Sequence, residues 1–392
     1  MYAFRKPFNA ATYESFNFFG FALKDVLIIS QLIGYMLSKF IGIKVISELT
    51  KNQRVRLIIL LIISAHIALL FFAIVPLNFK FLCLFLNGIP LGMVWGVIFS
   101  FLEGRKLTEM IATGIAVGAI VSSGLVKSFA RYLMSNNHWD VSEFWMPFVT
   151  GLFFLPILLF AVWMLSKIPE PNTNDIIQKT SRKPLLRKDR KELLRMYLPG
   201  IMCLVLLYVA LTVFRDFRDN YAVEILDQFG FTDTLQFARM ELIIGIIVIV
   251  TTSFIAFFRN NRLGFNFVLL LISVGFLLMF VAYVLFKMDK INAYYLMLFS
   301  GLGMGMGYVP FQIALFERFI AVFRIRGNVG FLMYLSDSMG YLGSVILLLL
   351  KSSQLLVVSE FKIFEQLILF CSIFGLLLTI YSFTYFRKLF NH

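Results

Sequence analysis

Runs of about twenty apolar residues constrain this chain more than any other feature, because a helix of that length crosses the hydrocarbon core of a bilayer. Eleven complete runs are present, and the helices they predict lie near residues 26–48, 56–77, 79–102, 109–134, 144–167, 197–218, 236–258, 263–286, 292–316, 328–350 and 362–386. Of the 392 residues, 60% are hydrophobic and only 15% are charged. The sequence therefore predicts an all-α membrane protein.

The first residues, MYAFRKPFNAATY, leave a twelfth span incomplete. Residues 2–22 are apolar enough to enter the bilayer, but Arg5 and Lys6 lie in their first half and no apolar run precedes them. Either this segment lies on the membrane surface, or it is the second half of a helix whose start is missing. We expect the second arrangement, which gives twelve spans with a truncated first helix.

The distribution of basic residues predicts an orientation. When residues 2–22 are counted as the first span, the loops after even-numbered spans and the C-terminus carry most of the Lys and Arg residues. Because positively charged loops stay in the cytoplasm, we expect both termini inside, in a bacterial inner membrane. The net charge of +14 then reflects the anionic cytoplasmic leaflet and requires no nucleic acid.

The longest polar segment lies midway along the chain, and we predict a six-helix bundle over 1–167, a basic cytoplasmic linker over 168–196 and a second bundle over 197–392. The two halves align weakly at a near-constant offset. LFLNGIPLGM at 84–93 aligns with MLFSGLGMGM at 297–306, and an offset of 210 pairs Arg5 with Arg215, each preceded by Phe. Duplicated halves of this kind are typical of membrane transporters.

No feature of the sequence indicates an enzyme. The three cysteines lie far apart in apolar runs, the three histidines form no cluster, and catalytic and nucleotide-binding motifs are absent. We therefore expect no metal, no cofactor and no enzymatic activity, and a membrane-embedded lipid enzyme is disfavoured for the same reason.

Two short motifs resemble the major facilitator superfamily and, within it, the organophosphate/phosphate antiporter branch. YAFRKPF at 2–8 resembles the first-helix signature of that branch, a Tyr followed by Arg-Lys and Phe. SKFIGIKVISELTKNQR at 38–54 resembles its second helix and the loop after it. The resemblance implies a monomeric transporter of two six-helix halves.

The loop after the second span is where the superfamily carries its gating pattern, GxxxDRxGR. Here Glu48 stands where Asp is usual, Leu49 stands where Arg is usual, and the second Gly is absent. The residues that the resemblance assigns to this gating loop are Lys39, Gly42, Glu48 and Arg54.

The resemblance also implies that one Arg from each half binds an oxyanion in a central cavity, and Arg5 and Arg215 match those positions. An Arg inside a bilayer costs at least about 2.5–3.5 kcal/mol on insertion scales, so it is kept for an internal partner or pathway. Its planar fork fits carboxylate or phosphate. The alternative for Arg5 is a frayed interfacial start. Arg215 would lie at the outer interface unless its helix begins inside the cytoplasm, and Arg218 is the alternative on the same face.

Other charged residues inside the spans have two interpretations each. Asp337 lies near the midplane, where it could counter an Arg, take a coupling proton or form a structural salt bridge. Lys127 is expected to pair with Glu241 on an adjoining helix as a structural bridge. Asp219 could pair with Arg215 one helical turn away.

We expect a secondary transporter that carries a small organic anion, phosphorylated or carboxylate, by alternating access, with the coupling ion or counter-substrate left open. Trp95 and Tyr308, equivalent at an offset of 213, are expected to line its cavity with the charged residues. The alternative is a non-transporting receptor or scaffold with the same fold. A transporter should need Arg5 and Asp337, whereas a scaffold should function without them.

Overall fold

The chain is seen in a computed structural model that describes residues 1–14, 16–18, 20–47, 51–102, 108–135, 139–168, 187–323, 330–352 and 359–390. Its α-helices are α1 Leu23–Ser47, α2 Lys51–Ile74, α3 Lys80–Leu102, α4 Thr108–Met134, α5 Met146–Ser166, α6 Arg187–Asn220, α7 Ala222–Asp227, α8 Gln236–Ser253, α9 Asn261–Lys287, α10 Ala293–Pro310, α11 Phe316–Val322, α12 Gly330–Ser352 and α13 Glu360–Phe390.

The predicted spans correspond to these helices. In the part of the chain that the structure describes, ten helices are long and apolar enough to cross a membrane. The remaining predicted span is α1, which is 25 residues long and carries Lys24, Asp25 and Lys39. Many large apolar side chains of the outer helices are exposed, as expected for surfaces that face lipid. The all-α membrane fold is confirmed.

Two helices differ from the prediction, and each is interrupted near a proline. Helix α6 begins at Arg187, about three turns before the predicted start, and its backbone is non-helical at Tyr197, just before Pro199. Residues 169–186 of the predicted linker lie outside the described residues. Helix α10 ends at Pro310 and continues through a π-helical turn, Phe311–Leu315, into α11. Such turns often occur at functional sites.

The N-terminal segment is the largest difference from prediction. It forms two 3-10 helical turns, Tyr2–Phe4 and Pro7–Ala10, followed by a small antiparallel hairpin of Asn17–Phe18 and Phe21–Ala22. Both turns contact α4 and α5, so the segment takes the place of a helix inside the first bundle. The prediction of a surface segment is wrong, because Arg5 is only 4% exposed. The expectation that Arg5 lies on an α-helix is also wrong.

The helices pack mainly within each half. Helix α1 packs along α3 in the first half, and α9 packs along α10 in the second. The latter contact is close, because a Cβ on Gly275 would overlap the carbonyl oxygen of Gly303. The halves meet where α1 contacts α12 and where α4 contacts α8 and α10. This pseudo-symmetric arrangement of two bundles leaves a cavity between the halves.

Candidate functional site

A cavity of about 100 Å³ lies between the two halves, lined by the N-terminal segment, α1, α3, α4, α6, α8, α10 and α12. Its lining includes all five residues predicted to bind substrate, which are Arg5, Arg215, Asp337, Trp95 and Tyr308. Trp95 and Tyr308 are half-buried and lie on α3 and α10, as their offset of 213 predicts. The cavity is therefore the candidate site.

Arg5 is the most unusual charge in this cavity. Its guanidinium carbon lies 4.0 Å from the centre of the Tyr35 ring, a cation–π contact. Its Nε atom is buried without a hydrogen-bond partner, and no described carboxylate forms an ion pair with it. A buried Arg whose nearest partner is a neutral ring can accept an anionic ligand without first breaking a salt bridge.

Hydrogen bonds from two buried amides hold the backbone that carries Arg5. Asn87 of α3 donates from Nδ2 to the carbonyl oxygens of Phe4, at 3.0 Å, and Ala65, at 2.9 Å. Gln31 of α1 donates from Nε2 to the Arg5 carbonyl at 3.0 Å and to Asn87 Oδ1 at 2.8 Å. These bonds supply partners that a 3-10 segment does not provide for itself.

Arg215 also faces the cavity, unlike the outer-interface position considered for it. Its guanidinium carbon lies 4.4 Å from the centre of the Tyr308 ring, and its Nε and Nη2 atoms donate to Asp216 Oδ1 at 3.0 and 2.7 Å. Arg215 lies near the C-terminal end of α6, which ends at Asn220, and its side chain lines the cavity between the halves instead of an outer surface. The predicted pairing of Arg215 with Asp219 is replaced by the pair with Asp216.

Asp219 instead compensates two lysines of the first half. Its Oδ2 atom lies 2.5 Å from Nζ of Lys6, and its Oδ1 atom forms an ion pair with Lys127. The Ser123 hydroxyl donates to the same Oδ1 at 2.6 Å. The predicted Lys127–Glu241 pair is therefore wrong, because the last turn of α6 brings Asp219 closer to Lys127.

Glu241 of α8 pairs with Arg218, whose Nη1 atom donates to Glu241 Oε1 at 2.7 Å. Arg218 also donates from Nε to the carbonyl of Met297 at 3.2 Å. Helix α8 does adjoin α4, as the Lys127–Glu241 prediction required. Both Arg215 and Arg218 line the cavity, but each has a carboxylate partner in the second half.

Asp337 of α12 joins the two halves. Its Oδ2 atom accepts from Lys39 Nζ of α1 at 2.9 Å, and its Oδ1 atom accepts from the Tyr208 hydroxyl. The Tyr308 hydroxyl lies 3.2 Å from the Tyr208 oxygen and donates to it, because Tyr208 uses its single hydroxyl proton on Asp337. Gln312, in the π-helical turn, donates to both tyrosine hydroxyls. This network forms the second-half side of the cavity.

The residues assigned to a gating loop have different positions. Lys39 and Gly42 lie within α1, and Lys39 is a buried member of the cavity, so its assignment to a loop is wrong. Arg54 lies on α2 with its guanidinium carbon 5.9 Å from the Phe101 ring. Glu48 lies outside the described residues.

Charge in and around the cavity is not balanced. Among the described side chains, the cations that line it or pair with its lining are Arg5, Lys6, Lys39, Lys127, Arg215 and Arg218. The anions are Asp216, Asp219, Glu241 and Asp337. Six side-chain cations against four side-chain anions leave an excess of two positive side-chain charges, which attract an anion into a site of low dielectric constant. No group of described residues could hold a metal ion.

A second charged cluster ties the halves together at the end of the bundle where α1 begins and α12 ends. Lys24 forms an ion pair with Glu224, and Lys351 lies 2.8 Å from Asp25. Lys351 also lies 3.1 Å from Glu360 at the start of α13. The first two pairs join the first half to the second, so they must separate before this end can open.

The sequence analysis did not assign several of the residues that shape the site. Lys6 and Asp216 are equivalent at the offset of 210, so the pairing that matched Arg5 with Arg215 also contains them. Gln31 and Asn87 are polar residues inside apolar helices, a signal of internal hydrogen bonding. Tyr35 has no comparable signal, because aromatic residues are common throughout this chain.

Solved transporter structures share this architecture. A D-xylose-proton symporter matches with a TM-score of 0.65 at 15% identity, over 97% of this chain and 94% of the other. The xylose transporter XylE from E. coli matches in a partially occluded inward-open conformation with a TM-score of 0.62, at 13% identity over 98% and 96% of the two chains. Its inward-open conformation gives 0.59, at 14% identity over 97% and 92%. The protein therefore has the major facilitator fold.

The sequence also defines a family. Residues 7–389 match the family described as a family of unknown function, DUF5690, and the chain belongs to it. No curated protein matches the sequence significantly. The comparisons support the major facilitator fold and do not single out the organophosphate/phosphate antiporter branch.

Proposed function

We propose that this protein is a secondary transporter for a small organic anion, carboxylate or phosphorylated, that works by alternating access of its two halves around the central cavity. The observation that carries the proposal is Arg5, a buried arginine in an intramembrane cavity with a neutral tyrosine as its contact and no ion pair to a described carboxylate. Such a charge is costly in a bilayer and is retained where a ligand compensates it.

The excess of positive charge distinguishes this proposal from a neutral substrate. The solved structures that share the fold are xylose transporters, and the likeness to them concerns the fold alone. A cavity with six cations and four anions favours an anion over a sugar, because a neutral ligand would leave both charges uncompensated.

Alternating access fits the distribution of ion pairs between the halves. Lys39–Asp337 joins them beside the cavity, and Lys24–Glu224 and Asp25–Lys351 join them at one end. Lys24, Asp25 and Lys39 all lie on α1. A shift of α1 when a ligand binds beside Lys39 therefore also acts on the two ion pairs that hold the end of the bundle closed.

The remaining features of the proposal follow from the sequence. We place the protein as a monomer in a bacterial inner membrane with its C-terminus in the cytoplasm, as the basic loops indicate. Met1 lines the central cavity, which differs from the cytoplasmic N-terminus that the sequence predicts. The cluster of Lys24, Asp25 and Lys351 then lies at the outer end. Exchange of one anion for another, as in the antiporter branch that the first-helix motif resembles, is the coupling we favour.

Counterflow into proteoliposomes tests the function. Proteoliposomes that contain the purified protein are loaded with unlabelled carboxylate or phosphorylated metabolites. Uptake of each labelled anion is then compared for the wild type, Arg5→Gln and Arg239→Gln. Arg239 is the matched control, because it is an exposed arginine whose loss changes the protein charge equally. Uptake that Arg5→Gln abolishes and Arg239→Gln preserves supports the proposal.

The same experiment can reject it. If no anion is taken up, or if Arg5→Gln transports as well as the wild type, the cavity charge does not serve transport. The receptor or scaffold with the same fold then becomes the better explanation.

A further inference from the structure

The two excess charges of the cavity have separate origins in the first half. One is Arg5, which contacts Tyr35. The other arises because Lys6 and Lys127 share the single carboxylate of Asp219. The other three cations of the cavity each have a carboxylate partner of their own.

The repeat explains why the excess lies on this side. At an offset of 210, Arg5 corresponds to Arg215 and Lys6 corresponds to Asp216. In the second half, Asp216 neutralises its neighbouring arginine at 2.7 Å. In the first half, a lysine stands at the equivalent position of the sequence repeat, so this position adds a positive charge where the second half has a negative one.

Asp219 contacts both lysines, but it carries only one negative charge. Its Oδ1 atom accepts from Lys127 and Ser123, and its Oδ2 atom lies against Lys6. The other partners of Lys6 and Lys127 are neutral, since Lys6 donates to the Asn220 side chain at 3.0 Å and Lys127 donates to the Asp219 carbonyl. One lysine charge is therefore left for a ligand to compensate.

We propose that the site takes a dianion, and that the arrangement of Lys6 and Lys127 around Asp219 sets this valence. The inference rests on the proposed anion-binding function and adds the charge of the ligand to it. In a medium of low dielectric constant, a ligand with two negative charges neutralises the cavity, whereas a monoanion leaves one positive charge buried.

Matched pairs of anions test the valence on the wild-type protein. Succinate is compared with succinamate, and methyl phosphate with dimethyl phosphate, at pH 8, by the concentration at which each stabilises the purified full chain against heating. The two pairs separate a carboxylate from a phosphate preference. We expect the dianion of at least one pair to act at a concentration at least about tenfold lower than its monoanionic partner.

Charge variants test the role of Asp219. Lys127→Met lowers the excess to one and should reduce the dianion preference to less than about threefold, and Lys6→Met should do the same. Asp219→Asn raises the excess to three and should retain a strong preference for the dianion. The double variant Lys127→Met/Asp219→Asn restores an excess of two, so it should recover the preference that Lys127→Met loses.

Equal stabilisation by monoanions and dianions in the wild type overturns the valence assignment while anion binding stands. Stabilisation by no probe overturns the assignment together with the proposed function. Gel filtration shows whether the double variant is folded. If it is folded and its dianion preference is as low as that of Lys127→Met, charge balance does not set the preference. Arg239→Gln, which removes a charge from outside the cavity, should behave as the wild type.

Discussion

Replacing Asn87 by Leu should loosen the segment that carries Arg5. Asn87 is fully buried, donates to the carbonyls of Phe4 and Ala65, and accepts from Gln31, which itself donates to the Arg5 carbonyl. Leucine has the same branched arrangement of side-chain heavy atoms, so the substitution removes the three hydrogen bonds of Asn87 while it keeps the shape of the side chain.

The magnitude follows from those bonds. At a net contribution of about 0.5–1.5 kcal/mol per hydrogen bond, the three bonds contribute about 1.5–4.5 kcal/mol, and averages near the lower end in membranes favour about 2 kcal/mol. Two backbone carbonyls, those of Phe4 and Ala65, also lose the partner that Asn87 provides. Because the lost bonds hold the N-terminal segment, anion affinity should fall together with the free energy of unfolding.

Steric trapping in bicelles measures the free energy of unfolding, and anion binding to the same samples reports on Arg5. Asn17→Leu is the matched control, because Asn17 is exposed in the hairpin. A loss below about 0.5 kcal/mol, no larger than that of Asn17→Leu, would refute the idea that these hydrogen bonds anchor the segment.

Two further predictions concern packing and opening. Gly275→Ala should lower the free energy of unfolding by about 1–3 kcal/mol, because the new Cβ overlaps the Gly303 carbonyl oxygen. Gly118→Ala is the control and should be nearly neutral, because the space around Gly118 is open. Equal effects of the two substitutions would contradict the close helix contact. Asp25→Asn removes the carboxylate nearest Lys351, at the end of the bundle where α1 begins and α12 ends. The fraction of molecules open at this end should rise about fivefold or more, which spin labels on the two halves would report as longer distances. Unchanged distances would show that the ion pair does not hold this end closed.

The sequence was most informative where the bilayer dictates the pattern. Spans such as α9, Asn261–Lys287, were predicted within a few residues, because apolar length has one dominant cause in membranes. The start of α6 at Arg187 was not predicted, because its first turns are polar and continue a helix beyond the apolar run. The 3-10 turns at the N-terminus could not be foreseen either, because their backbone is held by Gln31 and Asn87 from distant helices.

In the candidate site, the charged residues were predicted from the sequence, but most of their partners were not. Arg5, Arg215 and Asp337 were found because a charge inside an apolar run is conspicuous in sequence. Their partners were mostly predicted wrongly, because neighbouring carboxylates on α6 differ in direction by about 100° per residue and only the packed structure selects among them. Asp216 and Asp219 illustrate this, since one neutralises Arg215 and the other faces Lys6 and Lys127.

The most direct test of the account is the equilibrium affinity of the wild type, Arg5→Gln and Arg239→Gln for an anion that the wild type transports. Loss of a bidentate contact to a charged group corresponds to about 2 kcal/mol, or roughly thirtyfold in affinity. We expect Arg5→Gln to bind at least about thirtyfold more weakly and Arg239→Gln to bind within about twofold of the wild type. Equal affinities for all three proteins would contradict the claim that the buried Arg5 is the anion-binding group of this cavity.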